Sequence, residues 1–218
     1  MKKAISLAIA LLALASSLYA DASFMGVTGG IWNPDETVIG KHDCGLSSSY
    51  IDLKFDSLWT INLNYGLIPN LEVGVGYMQL GDLSYSGNND GKAFFNAKYQ
   101  ILPESKYGVG VAVGINDIGK KLNPNKNSFY AVAGKTFGKE NHPFHISAGF
   151  GSGVHDGFFT NLDYGFTSHI GIIGEYQSEG STFNAALRYR DGKGTYIKAG
   201  VFDIGGLDSL FLSIGIGF

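Results

Sequence analysis

Large apolar residues recur at every second position along most of the chain. Leu71, Val73, Val75 and Tyr77 alternate with Glu72, Gly74, Gly76 and Met78. Tyr107, Val109, Val111, Val113 and Ile115 alternate with Gly108, Gly110, Ala112, Gly114 and Asn116. Period two marks a strand whose two faces meet different surroundings. Helical periodicity is absent beyond the first twenty residues. The pattern predicts twelve strands, near 24–31, 50–66, 71–79, 92–101, 106–116, 128–137, 144–151, 157–164, 169–177, 182–190, 194–202 and 209–218. The second reads as one long strand or two short ones, because its alternation weakens at Ser57. The chain closes on the same rhythm, with Leu210, Leu212, Ile214, Ile216 and Phe218 on one face.

Loop lengths sort by parity in the first half. Gly66 to Asn70 and Leu102 to Ser105 are tight, whereas Leu80 to Gly91 and Asp117 to Asn127 are long and polar. Short turns at one end and long loops at the other mark a barrel that spans an outer membrane. Aromatic pairs strengthen this. Phe144 and Phe150, Phe158 and Tyr164, and Phe183 and Tyr189 stand six residues apart on the apolar face. That spacing is roughly 20 Å of strand, somewhat short of the two girdles that flank a lipid-facing band. The fold expected is therefore all-β: a transmembrane antiparallel up-and-down β-barrel of about twelve strands. A soluble lipocalin-like barrel is the alternative, with the large faces inside.

The first residues differ. Lys2 and Lys3 precede an apolar run from Ile5 to Leu14, and Leu18-Tyr19-Ala20 offers a small residue before Asp21. This predicts a cleaved signal peptide over 1–20 and a barrel domain over 21–218. Charged residues make up 16% of the chain and 32 of its 218 residues are glycine, against about 25% and about 7% in ordinary soluble domains. The net charge of −3, without a basic stripe, excludes a nucleic-acid partner. Cys44 is the sole cysteine, so no internal disulfide forms.

If the large face meets lipid, the other face lines the lumen. It carries Glu72, Lys98, Lys135, Asp163, Glu175, Arg188 and Arg190, with His145 and several asparagines. These residues either set the selectivity of a polar conduit or pair as internal salt bridges, such as an arginine with Glu175. Inward glycines suggest unfilled space, since about eight strands suffice to be just filled by side chains. The loop from Asn33 to Ser49 could enter that space.

Candidate chemistry is sparse. Ser152, His155 and Asp156 lie close in GFGSGVHDG, but without G-x-S-x-G spacing and at a predicted turn. They are the residues a barrel hydrolase would use; the leading expectation is no catalytic set. His142 and His145 have odd separation and face opposite sides of a strand, and His42-Asp43-Cys44 lacks a fourth ligand. No metal and no cofactor are predicted.

The phrases GLIPNLEVGVGY, KYQILPE, VAVGINDIG, FYAVAGKTFG, DGFFTNLDY, LRYR and AGVFD together resemble the YjbH-like outer-membrane proteins associated with exopolysaccharide production, over roughly residues 60–218. Those proteins are longer, and the resemblance covers a barrel-sized part. It implies an outer-membrane barrel linked to exopolysaccharide production; the polar, glycine-lined inner face adds the expectation of a small pore for polar solutes or an accessory to envelope polysaccharide export. It carries over no catalytic residues. The alternating C-terminus, Leu212, Ile214, Ile216 and Phe218, resembles the signal that the barrel assembly machinery reads. The expected partners are therefore outer-membrane lipid, that machinery, and polysaccharide or small polar solutes. A barrel hydrolase and a plugged structural barrel are the alternatives.

Overall fold

In a computed structural model, residues 21–54, 56–80, 91–139 and 141–218 are described, and the predicted signal segment lies outside them. Twelve strands run in chain order: β1 (Cys44–Leu53), β2 (Asp56–Ile68), β3 (Leu71–Leu80), β4 (Lys92–Leu102), β5 (Gly110–Asn116), β6 (Ser128–Lys139), β7 (His142–Gly151), β8 (Gly157–Gly165), β9 (Ile170–Gln177), β10 (Thr182–Arg190), β11 (Thr195–Phe202) and β12 (Ser209–Gly217). Each pairs antiparallel with its neighbours in sequence, and β1 pairs with β12 to close the barrel. Closure leaves no edge with unpaired amides, the condition for strands to cross lipid. At the seam Cys44 and Phe218 exchange two backbone hydrogen bonds, N–O 2.6 and 2.8 Å. That end, where β1 starts and β12 stops, is called the terminal end below. The long connection after β5 lies at the outer end, and residues 81–90 of the one after β3 lie outside the described residues.

The alternation sorts residues as lipid requires. Leu210, Leu212 and Ile214 are more than half exposed, and Phe150 and Leu187 likewise, while Phe211, Ser209 and Ser213 between or beside them are buried. An outward band of large apolar side chains is the reverse of a soluble surface. Aromatic neighbours cluster towards its two ends: Phe150–Phe158 and Tyr176–Phe183 at the outer end, Tyr164–Phe166 at the terminal end. The molecule is a membrane-spanning β-barrel of the outer-membrane type.

Two strand expectations change. The stretch 50–66 is the second part of β1, a tight turn and β2. The stretch 24–31 is no strand. It forms part of a segment from Asp21 to Gly40 that fills the lumen. The total of twelve survives because one strand splits and another disappears. β5 also starts later than alternation suggests, because Ser105 and Gly108 bond each other and close a turn before it.

The lumen segment, called the plug, enters at the terminal end, climbs, turns and returns. Its ascent is compact, with bonds from Phe24 N to Ile31 O (2.6 Å) and Ser23 N to Val27 O (2.7 Å). Gly26, at φ +81°, makes the reversal that a β-carbon would strain. The apex is apolar. Phe24 and Trp32 stack at 5.3 Å, Trp32 meets Phe202, and Phe24, Met25 and Ile31 pack with the inward-facing Ile51, Ile173 and Phe211. The return limb leaves past Ile39 and Gly40, where His42 N bonds to Gly66 O at 2.7 Å. A β-carbon on Gly66 would lie 1.8 Å from Gly40 O, so glycine is what lets the exit pass.

The inward glycines therefore do not line empty space. Four of them stand opposite an inward aromatic: Gly76 and Phe94, Gly114 and Tyr130, Gly149 and Phe159, Gly215 and Tyr196. In each pair a β-carbon would fall 2.2–2.4 Å from the facing ring. The ring lies in the space that the glycine leaves, and the plug takes the rest.

Candidate functional site

The wall grips the plug by its backbone. Glu72 on β3 accepts from Thr28 N (2.9 Å), Ile39 N (3.2 Å), the Thr28 hydroxyl and Asn64 Nδ2 (2.7 Å). Across the lumen, Glu175 on β9 accepts from Ile31 N (2.5 Å), Trp32 N (2.9 Å), Asn33 N (3.2 Å) and Asn184 Nδ2 (3.1 Å). Two lysines do the converse. Lys98 Nζ donates to Thr28 O at 2.7 Å, and Lys198 Nζ donates to Gly30 O (2.7 Å), Ala22 O (3.0 Å) and Gly29 O (3.2 Å). All four side chains are almost fully buried. A segment without strand partners needs its amides and carbonyls satisfied, and these charged groups supply the missing partners. The lysines balance the carboxylates, with Lys98 3.8 Å from Glu72 Oε2.

At the terminal end of the same lumen lies a polar cavity of about 200 Å³. Its walls include Arg188, Arg190, Asp163, His145 and Thr136 from the barrel and Asp21 and Asp35 from the plug. Arg188 pairs with Asp163, and Arg190 Nε donates to Asp21 Oδ1 at 3.0 Å. Burial opposes ionisation of Asp21, yet Arg190 and Lys198 prevail and hold its carboxyl below the ordinary range.

The predicted lumen residues separate into three groups. Glu72, Lys98 and Glu175 hold the plug, and Arg188, Arg190 and Asp163 line the cavity. Glu175 is not the partner of an arginine; its oxygens are taken by the plug. Lys135 is a correction. It shares parity with Phe129 and Phe137, stands opposite the lipid-facing Ile146, and curls over the terminal rim onto the carbonyls of Ser105 and Gly108. Its strand neighbour Thr136 is the one that reaches the cavity. At the C-terminus Leu212 and Ile214 face outward, Phe218 is half-buried, and Ile216 is buried beside Ala22 and Ile39. Beyond the seven predicted residues, the site uses Lys198, which follows Arg188 and Arg190 on the next strand, and the plug, of which only the part from Asn33 was expected in the lumen. The signal for Lys198 was its place opposite Arg188 in the β10–β11 register.

The candidate hydrolase residues do not meet. Ser152 Oγ donates to Asn127 O at 2.6 Å, and Asp156 pairs with Lys126. His155 is buried, 3.1 Å from Asn116 Nδ2 and against the rings of Tyr130 and Phe159. Burial drops its pKa to about 3, so it stays neutral. Of the histidines weighed as metal ligands, His142 is exposed and His145 points inward, its Nε2 3.4 Å from Oε2 of Glu36 on the plug. His42 bonds to the Tyr65 hydroxyl at 3.0 Å.

Comparison with known proteins gives one family. The family described as "Exopolysaccharide biosynthesis protein YbjH" (YjbH) matches residues 23–197. No curated protein matches the sequence. Among solved structures, the KdgM porin superposes with a TM-score of 0.53 at 12% identity, covering 80% of this chain and 98% of that one. This establishes a shared barrel fold. Omp33 of Acinetobacter baumannii gives 0.49 at 12% identity over 82% of this chain and 98% of its own. The outer membrane phospholipase A of Escherichia coli gives 0.38 at 11% over 89% and 95%.

Proposed function

The chain belongs to the YjbH family of exopolysaccharide biosynthesis proteins, and from that premise we propose that it is a conduit for polar solutes or envelope polysaccharide, closed by its own plug. The observation that carries this reading is the grip on the plug. Its backbone is held by charged side chains of the wall and not by strand pairing. Charged, hydrogen-bonded contacts of this kind can be exchanged for water when the plug leaves, and apolar packing holds only its apex around Phe24 and Trp32. The vacated lumen of a twelve-stranded barrel is wider than the eight-stranded case that side chains alone fill. Glu72, Lys98, Glu175 and Lys198 would then face the passing solute, with Arg188, Arg190 and Asp163 at its terminal mouth. The reading includes no catalysis, since Ser152, His155 and Asp156 are each engaged elsewhere. It includes two partners besides the solute: outer-membrane lipid around the apolar band, and the barrel assembly machinery at Leu212, Ile214, Ile216 and Phe218.

The test is single-channel recording in planar bilayers, on protein whose folding is verified by heat-modifiable gel migration. The wild-type barrel is expected to be silent or to open rarely. The double variant Glu72→Ala/Glu175→Ala, which frees both limbs of the plug, is expected to give sustained discrete steps. A folded double variant that stays silent overturns the conduit, and a wild type that conducts as freely as the variant overturns the closing role of the plug.

A further inference from the structure

We propose that Glu36, Glu104 and His145 form a binding site for a divalent transition-metal ion of the zinc class, which ties the return limb of the plug to the barrel wall. The three come from separate elements: the plug, the β4–β5 connection and β7. One donor atom from each lies within 4.8 Å of the others.

Glu36 is the anomaly that points to a ligand. Its side chain is fully buried, and among the described residues neither carboxylate oxygen has a hydrogen-bond partner, His145 Nε2 at 3.4 Å being its ion-pair contact. The buried Glu72 and Glu175 each accept four hydrogen bonds, from Thr28 (twice), Ile39 and Asn64 and from Ile31, Trp32, Asn33 and Asn184, and the buried Asp21 accepts one from Arg190 with Lys198 3.9 Å away. A buried carboxylate without donors is costly unless a cation completes it. His145 Nε2 also lacks a hydrogen-bond partner.

The surroundings are built for this group. Glu36 lies in a hollow left by two glycines: a β-carbon on Gly134 would fall 1.9 Å from its Oε2, and one on Gly110 would fall 2.5 Å from its Cγ. The 3.4 Å between Glu36 Oε2 and His145 Nε2 matches a ligand–ligand edge of roughly 3.3 Å, from tetrahedral bonds of about 2.0–2.1 Å. Thr136 orients the other two groups. It lies 3.1 Å from His145 Nδ1, which leaves Nε2 to face the site, and its hydroxyl and amide each donate to Glu104 at 2.9 Å. An outer shell of this kind is what fixes a metal-binding histidine.

Charge also fits. Glu36 and Glu104 bring two negative charges, and Lys135, 3.5 Å from Glu104, returns one while donating to backbone carbonyls. Asp35, on the adjoining cavity wall, adds another negative charge nearby. One nitrogen and two carboxylate donors suit zinc better than calcium or magnesium, which prefer all-oxygen shells. Three protein ligands leave a fourth position for water.

The test is zinc titration by calorimetry, with metal content by mass spectrometry, on tag-free, chelator-treated, folded barrel. One zinc ion per barrel is expected, with affinity at least tenfold weaker in Glu36→Gln and in Glu104→Gln. Glu104 sits in a connection, so its variant keeps the test decisive should the plug variant fail to fold. No zinc uptake by the wild type, or unchanged affinity in either folded variant, overturns the site. The readout is metal binding itself, so the result stands apart from whether the barrel conducts.

Discussion

The two halves of the lumen are filled by different physics. In the outer half, Phe24, Met25, Ile31 and Trp32 pack against Ile51, Ile173, Phe202 and Phe211, and Glu175 alone among the four gripping charges serves that apex. In the terminal half, Glu72, Lys98, Lys198, Arg188, Arg190, Asp163 and Asp21 meet around the polar limbs of the plug and leave a cavity of about 200 Å³. The apex is sealed by area removed from water, which is indifferent to sign of charge and changes little with pH. The limbs are held by pairings that depend on protonation, cations and water. For the conduit proposed above, this places control of the plug at the terminal end and the barrier to leakage at the outer end.

The largest effects should come from breaking one half at a time. Glu72→Ala leaves two plug amides buried without their acceptor and Lys98 with Asp35 as its remaining counter-charge, and should destabilise the barrel by about 3–5 kcal/mol. Trp32→Ala removes the apex ring that bridges Phe24 and Phe202, and should cost about 3 kcal/mol or more. Denaturant unfolding in lipid vesicles measures both. The two losses should add when combined, because the sites are separate. Strong coupling between them would mean that the lumen is one unit and not two halves.

A middle-sized effect breaks the contrast through acid, because one titrating group lies at the outer end, outside the apex. His155 is the acid-sensitive point at the outer end, with a folded pKa of about 3 against an ordinary value of 6.5. Between those values the unfolded chain binds the proton and the folded barrel does not, so stability falls as pH drops below 6.5. The loss is expected to reach about 2 kcal/mol at pH 5. His155→Gln should flatten that slope, read as the unfolding midpoint at pH 7 and pH 5. An unchanged slope would remove His155 from the account.

The smallest effects concern glycine. Gly134→Ala pushes a methyl group into the Glu36 carboxylate and should cost about 1–3 kcal/mol. Gly174→Ala on β9 meets nothing within 4 Å and should change stability by less than about 0.5 kcal/mol. Equal costs in the same unfolding assay would show that strand propensity, not the plug, explains glycine here.

Much of the wall is legible along the chain. Leu71–Tyr77, Ala93–Ile101 and Ser209–Gly215 alternate cleanly because each residue's exposure is set by its own parity. Lys135 was misread because it stands at the rim, where a long side chain reaches a polar group from either face. The plug was misread for a stronger reason. Phe24 to Ile31 alternates like a strand, but its backbone partners are side chains at Glu72, Lys98, Glu175 and Lys198, far away in sequence. The pairing of Glu36 with Glu104 and His145 is hidden in the same way.

The sequence by itself determined the barrel: the strands, their facing, the lipid-directed band and the charged inner wall. Period two and glycine content are local, and lipid imposes one rule on every outward position. Only the tertiary structure decided what fills the lumen. Closing twelve strands creates a space of fixed size, and the segment that enters it is chosen by long-range hydrogen bonds that no local pattern encodes.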